Sequence, residues 1–284
     1  MSKNETRSAV VTGAGSGLGF ATAKLLKSEG WTVFGTIIES QSPDELKKLG
    51  ITPIVVDISK PEMTDAAKKQ VEEALGDKGL SALINVAGLP VGGLLEGCSP
   101  EYMRWSLSVI VEGTINMVRS FLPLLRKYGP ARIVNVTTSG TFIPAVFTAP
   151  YSICKFAEQG ITEVLRYELR KFGIQVCSVA PGGMKTPMTE DMKGNTQKNW
   201  DRMGPEIYDI YYDKIHKSLD FINMMGGLGS KPESVAKVIL TALNKKKMKI
   251  TYMAGPMVVW MKPVKRLLGE DLFEAMMSKM QKMG

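Results

Sequence analysis

The chain has 284 residues, 44% of them hydrophobic, and a formal net charge of +8. This suits one large α/β domain or two small ones with ample core. A single histidine, His216, and three scattered cysteines, Cys98, Cys154 and Cys177, argue against a histidine triad or a metal site. The clearest basic run, Lys245 to Lys247 with Lys249 nearby, follows a predicted helix. There it can complement helix-end carbonyls, and nucleic-acid binding, which concentrates charge in one patch, is not expected. Loose attraction to an anionic membrane surface or to anionic substrates fits the charge better.

No uncharged apolar run reaches the ~18 residues of a spanning helix, so none is expected. The opening MSKNETRS is polar and lacks the apolar core of a signal peptide, and a cytoplasmic location is the expectation.

Ser8 to Thr12 reads as a strand, and the glycine-rich turn TGAGSGLG, Thr12 to Gly19, follows at once. A helix then runs to about Glu29, with Phe20, Ala23, Leu25 and Leu26 on its apolar side, before a second strand from Thr32 to Ile38. In such a βαβ unit Gly13 allows the tight turn and Gly17 lets backbone approach a pyrophosphate. Gly19 allows close helix–sheet packing, and the helix N-terminus offers amides and a positive dipole end to phosphates. A turn of this kind can also join strand to helix with no ligand.

The alternation continues with strand 52–56 ending in Asp57, helix 63–75, and strand 80–86 ending in Ala87 and Gly88. A helix over 109–128, strand 132–137, a helix from Tyr151 to about Phe172, and strand 175–180 running into Pro181, Gly182 and Gly183 come next. Val- and Ile-rich strands alternating with helices predict an α/β fold. Right-handed crossovers then predict a single doubly wound parallel sheet with helices on both faces and its ligand at the carboxyl ends of the strands. No repeat or linker divides residues 1–284, which read as one domain.

From about 185 to 230 the pattern loosens as in a substrate lid. A helix over 232–244 and a strand over 249–253 resume the order. The apolar and basic segment at about 255–284 reads as core or interface packing, one wall of an apolar pocket, or a surface-bound amphipathic segment.

Tyr151 and Lys155 stand four apart, so on a helix they share a face. An ammonium beside a phenol favours phenolate and lowers a pKa that is about 10 when unperturbed. A hydroxyl from Thr138 or Ser139, in the loop after the 132–137 strand, could hold the oxygen to which the proton moves. The spacing alone is weak, because Tyr167 and Lys171 repeat it. On one continuous helix Tyr167 points roughly opposite to Tyr151.

Together, TGAGSGLG, Asp57, the run Asn85 to Gly88, the Thr138/Ser139 hydroxyls, Tyr151 with Lys155, and Pro181 to Thr186 resemble the short-chain dehydrogenase/reductase family. The resemblance spans Ala9 to about Ala254. It implies that residues 1–284 form a single Rossmann-type dinucleotide-binding domain and that hydride moves between a nicotinamide dinucleotide and a carbonyl or alcohol carbon. By the same resemblance Tyr151 is the general acid/base, Lys155 lowers its pKa and holds the nicotinamide ribose, and Thr186 meets the carboxamide. Thr138 or Ser139 binds the substrate oxygen. The dinucleotide contacts it implies are Gly13, Ser16, Gly17, Leu18, Gly19, Ile37, Asp57, Ile58, Asn85, Ala87, Gly88, Tyr151, Lys155, Pro181, Gly182, Met184 and Thr186. No metal is implied.

Two positions depart from the family. Val86 replaces the second Asn of its Asn-Asn-Ala-Gly run, and Ile110 occupies the place of the Asn that serves the proton relay. An apolar side chain cannot hold a relay water. Either Ser108 or a shifted water substitutes, or the protein is a cofactor-binding relative with a non-redox role: cyclase, regulator or scaffold.

The family's acidic position at the end of the second strand falls on Ile37, followed by Ile38 and Glu39, with no Arg or Lys close. NAD is therefore expected over NADP. Asp57 caps the adenine or, more simply, a turn. Segments 121–126 and 151–155 and the tail are similar to the branch holding retinol, hydroxysteroid and 3-hydroxybutyrate dehydrogenases. Leu89, Val91, Phe142, Pro144, Val146, Met184 and Met188 are expected near the pocket, which suits a steroid-, retinoid- or polycyclic-like secondary alcohol or ketone. The family also implies a homodimer or homotetramer built on the helices over 109–128 and 149–172, and the basic tail allows peripheral membrane contact.

Overall fold

The computed structural model describes residues 7–142, 146–185, 198, 201–214, 216, 229–255 and 258–280. Seven strands form one parallel sheet in the order β3-β2-β1-β4-β5-β6-β7: β1 Ser8–Val11, β2 Thr32–Ile37, β3 Thr52–Val55, β4 Ala82–Asn85, β5 Arg132–Val136, β6 Gln175–Pro181 and β7 Thr251–Ala254. The order reverses between β1 and β4, where Val11 pairs with Gly35 on one side and Ile84 on the other. In a doubly wound sheet this reversal opens a crevice at the carboxyl edge.

β1, β4 and β5 are buried along their whole length, as strands covered on both faces must be. On one face α1, Gly17–Ser28, and α7, Pro232–Asn244, pack Ala23, Leu26, Val235 and Ile239 against Val11, Val134 and Val179. On the other face lie α3, Pro61–Leu75, α5, Gly113–Tyr128, and α6, Ala149–Glu168. They contribute Val71, Met117, Phe121, Leu124 and Leu165 to a second core over Val10, Leu83 and Ile133. A short helix, α2, Asp44–Lys48, joins β2 to β3.

The helix expected to begin at Val109 begins nine residues earlier, at α4, Pro100–Leu107. Ser99 accepts a hydrogen bond from the amide of Tyr102 at 3.1 Å and Pro100 opens the first turn, a start signal legible in the sequence. Between α4 and α5 a π-helical turn, Ser108–Glu112, widens the helix around Ile110. Taken together Pro100–Tyr128 is long and apolar enough to cross a membrane by length and composition, which the sequence reading did not anticipate. Met117, Phe121, Leu124 and Leu125 of that run are buried in the domain.

Lys245 is the C-cap residue of α7, its amide donating to the carbonyl of Ala242 at 3.2 Å, but the helix-end carbonyls that receive side chains receive them from elsewhere. The side chain of Arg132, on β5, reaches the end of α7 and donates to the carbonyls of Leu243 at 2.7 Å and Lys245 at 2.9 Å. Gln175 donates to the carbonyl of Lys246 at 2.9 Å. The side chains of Lys245, Lys246 and Lys247 are exposed.

Most of the expected lid lies outside the described residues. Within it 205–214 is helical, and Met203, Ile207 and Tyr211 cluster with Leu94 and Phe147. The tail forms two helices, α8, Met261–Leu268, and α9, Glu270–Met280. Phe273 and Met277 of α9 are buried with Phe142 packed against them.

Candidate active site

Sequence places short hydroxyl residues and glycines at the carboxyl ends of β1 and β4, and these build the floor of the crevice. Thr12 accepts hydrogen bonds from the amides of Val86 at 2.8 Å and Ala87 at 3.0 Å, tying the two strand ends together. Thr36 accepts from the amide of Gly13 at 3.2 Å and so anchors the glycine turn to β2. Gly13 has φ +65°, and a Cβ there would stand 3.0 Å from the Cα of Ala87. A Cβ at Gly19 would stand 2.1 Å from the carbonyl oxygen of Gly13, so only glycine lets α1 start this close to the turn. Ser16 caps α1 in position but makes no side-chain cap bond, which leaves first-turn amides for an anion.

One cavity runs along this edge. It is lined by Gly13, Ser16, Gly17, Leu18, Gly19, Ile37, Asp57, Ile58, Ala87, Gly88, Tyr151, Lys155 and Met184, all expected from the sequence. Thr36, Ile38, Gln41, Val56, Val86, Leu89, Val109, Val136 and Thr137 also line it. Of these, Thr36, Gln41, Val56, Val109, Val136 and Thr137 were not singled out in the sequence, because each reaches the crevice through strand pairing or loop folding that no local motif encodes. Asp57 caps a turn, as expected, and also faces the cavity. It lines the cavity and accepts from the Ser59 amide at 3.0 Å and the Ser59 hydroxyl at 2.7 Å.

Several expected contacts are not on the cavity wall. Asn85 is buried beneath it and donates to the side chain of Asn135 at 2.9 Å, which in turn donates to Thr162. Pro181 pairs with Ala254 of β7, and the Gly182 amide donates to the Ala254 carbonyl at 2.9 Å. Thr138 and Ser139 sit half-buried just past the lining residue Thr137, outside the wall itself. The Thr138 hydroxyl accepts from the Gly140 amide at 3.3 Å, capping a single 3₁₀ turn, Ser139–Thr141.

Among the apolar residues expected near a substrate, Leu89 and Met184 line the cavity. Val91 lies in the cluster under Tyr151, Val146 lines a separate groove with Leu94 and Phe147, and Phe142 turns toward the tail. Pro144, Thr186 and Met188 lie outside the described residues.

Tyr151 and Lys155 enter from the first turns of α6, which Pro150 helps to start. The Lys155 ammonium stands 5.8 Å from the centre of the Tyr151 ring. It donates to the carbonyl of Val136 at 2.9 Å and to a carboxylate oxygen of Glu158 at 2.6 Å, with Lys155 4% and Glu158 1% exposed. Burial pulls the ammonium's pKa down, but the charges of Glu158 and Tyr151 outweigh it and hold Lys155 above the ordinary lysine range. Burial pushes the Glu158 carboxyl up, against the pull of Lys155 and Thr114. Glu158 escaped the sequence reading, although its place three residues after Lys155 on the helix was visible.

Ile110 is fully buried against Val91 and Cys154 and contributes no polar side chain. The Ser108 hydroxyl donates to the carbonyl of Trp105 at 2.9 Å, on its own helix.

A phosphate-bearing dinucleotide fits this lining: a glycine cradle that a Cβ would fill, uncapped amides at α1, and an apolar slot between Ile37 and Ile58. A nucleotide-binding α/β protein with a Tyr–Lys pair at the crevice is the class that fold and site define. The chain belongs to the short chain dehydrogenase family, whose model matches residues 7–197. It is 36% identical over 222 residues to estradiol 17-beta-dehydrogenase 2 of Mus musculus, covering 75% of this chain and 56% of the mouse protein. The chain thus spans about half the length of that relative. It is 30% identical over 251 residues to 3-ketodihydrosphingosine reductase of Bacteroides thetaiotaomicron, covering 88% of each. A short-chain dehydrogenase from Streptomyces avermitilis shares the fold, with a TM-score of 0.76 at 22% identity over 95% of this chain and 97% of that one.

Proposed function

We propose that the protein is an oxidoreductase that transfers hydride between NAD(H) and a hydrophobic secondary alcohol or ketone. The observation that carries this reading is that Tyr151 and Lys155 line the same cavity as the glycine turn. When bound, a nicotinamide dinucleotide supplies the hydride donor or acceptor. Gly13, Ser16 and Gly17 would hold its phosphates, Asp57 and Ile58 its adenine, and Lys155 its ribose. In the oxidative direction the Tyr151 phenolate takes the alcohol proton. In the reductive direction the phenol returns it. The Thr138 hydroxyl holds the substrate oxygen: its cap bond to Gly140 fixes the rotamer and leaves its proton to donate.

NAD is favoured over NADP because Lys155 is the sole cation among the lining residues and lies at the opposite end of the cavity from β2. A hydrophobic substrate is favoured by Leu89 and Met184 on the wall and by relatives named for a steroid and a sphingoid ketone. The test is nicotinamide absorbance across steroid, retinoid and long-chain ketones with NADH and NADPH. Turnover that Tyr151→Phe abolishes supports the reading, and dinucleotide binding without turnover of any of them overturns it. Ile110 favours a second, non-redox reading, which is rejected if Ile110→Asn merely raises an activity already present.

The partners follow the same reading. A homodimer is proposed across the outer faces of α5 and α6, where Ile115, Ile153, Phe156 and Val164 are exposed. A monomer by light scattering at micromolar concentration would count against it. Peripheral contact with an anionic membrane is proposed for the tail, where Trp260 and Leu267 are exposed beside Lys265 and Arg266. Failure to sediment with anionic vesicles would remove that proposal.

A further inference from the structure

The buried face of α6 carries Cys154, Lys155, Glu158, Thr162 and Leu165. A carboxylate with 1% exposure is an unfavourable occupant of such a stripe. A buried ion pair is commonly replaced by apolar side chains at no loss of stability, so packing gives no reason for Glu158. Its contacts do. One carboxylate oxygen accepts from Lys155 at 2.6 Å, and the other faces the Thr114 hydroxyl at 3.0 Å. Thr114 is also 2.9 Å from the carbonyl of Ile110, at the π-helical turn.

An ammonium has three N–H groups and a neutral amine two. Val136 and Glu158 take two, so only the charged form of Lys155 keeps a donor for the cavity that it lines. We propose that Glu158 is a positioning residue for the reaction put forward above: its carboxylate is the fixed counter-ion that keeps Lys155 an ammonium aimed at the crevice, where Ile110 offers no polar side chain. The inference rests on that reading for its catalytic meaning, but the charge on Lys155 is measurable without turnover.

The groups that face the pair come from every neighbouring element. α6 contributes Tyr151 and Cys154, α5 the Thr114 hydroxyl, the π-helical turn the apolar Ile110, β5 the Val136 carbonyl, and the end of β4 the glycine Gly88. Glu158 is thus the acid in contact with Lys155, and removing it leaves desolvation to pull the ammonium's pKa down.

The experiment is Glu158→Gln, read by the nitrogen-15 signal of the Lys155 side chain against pH in the ligand-free protein. The expected result is loss of the ammonium signal about one pH unit or more below the parent. A descending alkaline limb in kcat/KM should move by the same amount. Glu158→Asp, a second variant that keeps the charge on a shorter arm, is expected to give a smaller displacement of the same sign. A lowered Tm with Lys155 titrating as in the parent, in whichever variant folds, would make Glu158 structural only and overturn the inference. Absence of turnover in the parent would sink the proposed activity while the nitrogen titration still decides the role of Glu158.

Discussion

Tyr151 and Tyr167 lie on the same helix, α6, and face opposite ways: Tyr151 lines the cavity while Tyr167 is 82% exposed. The helical period alone separates a working Tyr–Lys pair from its duplicate. Tyr151→Phe should lower kcat by about 1,000-fold, within the range of a lost general acid/base, with dinucleotide affinity kept. Tyr167→Phe should leave kcat unchanged. Steady-state kinetics with fluorescence titration of the dinucleotide checks both.

The two hydroxyls of the loop after β5 differ in what they already hold. Thr138→Val removes both the cap at Gly140 and the donor to the substrate oxygen, and should cost about 100-fold or more in kcat/KM. Thr138→Ser should restore most of it. Ser139→Ala should change kcat/KM by less than about threefold, and the reverse ranking would move the substrate oxygen to Ser139.

The glycine turn has no space for a methyl group at Gly19, where a Cβ would lie 2.1 Å from a backbone oxygen. Gly19→Ala should cost about 1–3 kcal/mol of overpacking strain and displace the first turn of α1. Thermal unfolding should show the lower Tm, and calorimetry should show weakened dinucleotide binding.

Gln41 lines the cavity beside the end of β2 and accepts from the amide of Ile38 at 3.3 Å. A guanidinium at this position is a fork suited to a ribose phosphate. Gln41→Arg should move the ratio of kcat/KM for NADPH over NADH upward by about tenfold, worth about 1.4 kcal/mol. No change in the ratio would place the selecting group elsewhere.

Burial, with the charge of Glu158 added, pushes the Cys154 thiol up to about 11, and burial pushes Cys177 up to about 12. A raised pKa means less thiolate at a given pH. At pH 8 the thiolate is therefore about one part in a thousand or less of either residue. A disulfide exchange reagent should titrate one thiol, Cys98, in the native protein and all three in denaturant.

The order of strands and helices was legible because each strand of a doubly covered sheet is a short Val/Ile run bounded by turn residues. The glycine turn stood out by its place between strand and helix, whereas Tyr151 and Lys155 were separable from Tyr167 and Lys171 only by the segments that precede them. The start of α4 was equally written, in Ser99 and Pro100, but the helical period over Val109 to Tyr128 drew the boundary inward. Asn85, Pro181 and Gly182 were assigned to the dinucleotide through resemblance; the side chain of Asn85 bonds Asn135, and the backbone of Pro181 and Gly182 also pairs with β7. Glu158 and Gln41 could not be recognised as parts of the site, since an exposed helix glutamate and a buried one look alike until the opposite element is known. Thr114 and Val136, which hold the Lys155–Glu158 pair, come from α5 and β5, and sequence distance hides them.

The packing of Phe142 on Phe273 and Met277 places the carboxy-terminal helices directly behind the loop that carries Thr138 and Ser139. A handle, fusion or truncation at that end is therefore expected to be felt in that loop through Phe142. Preparations meant for kinetic comparison are best left untouched there and tagged at the amino-terminal side.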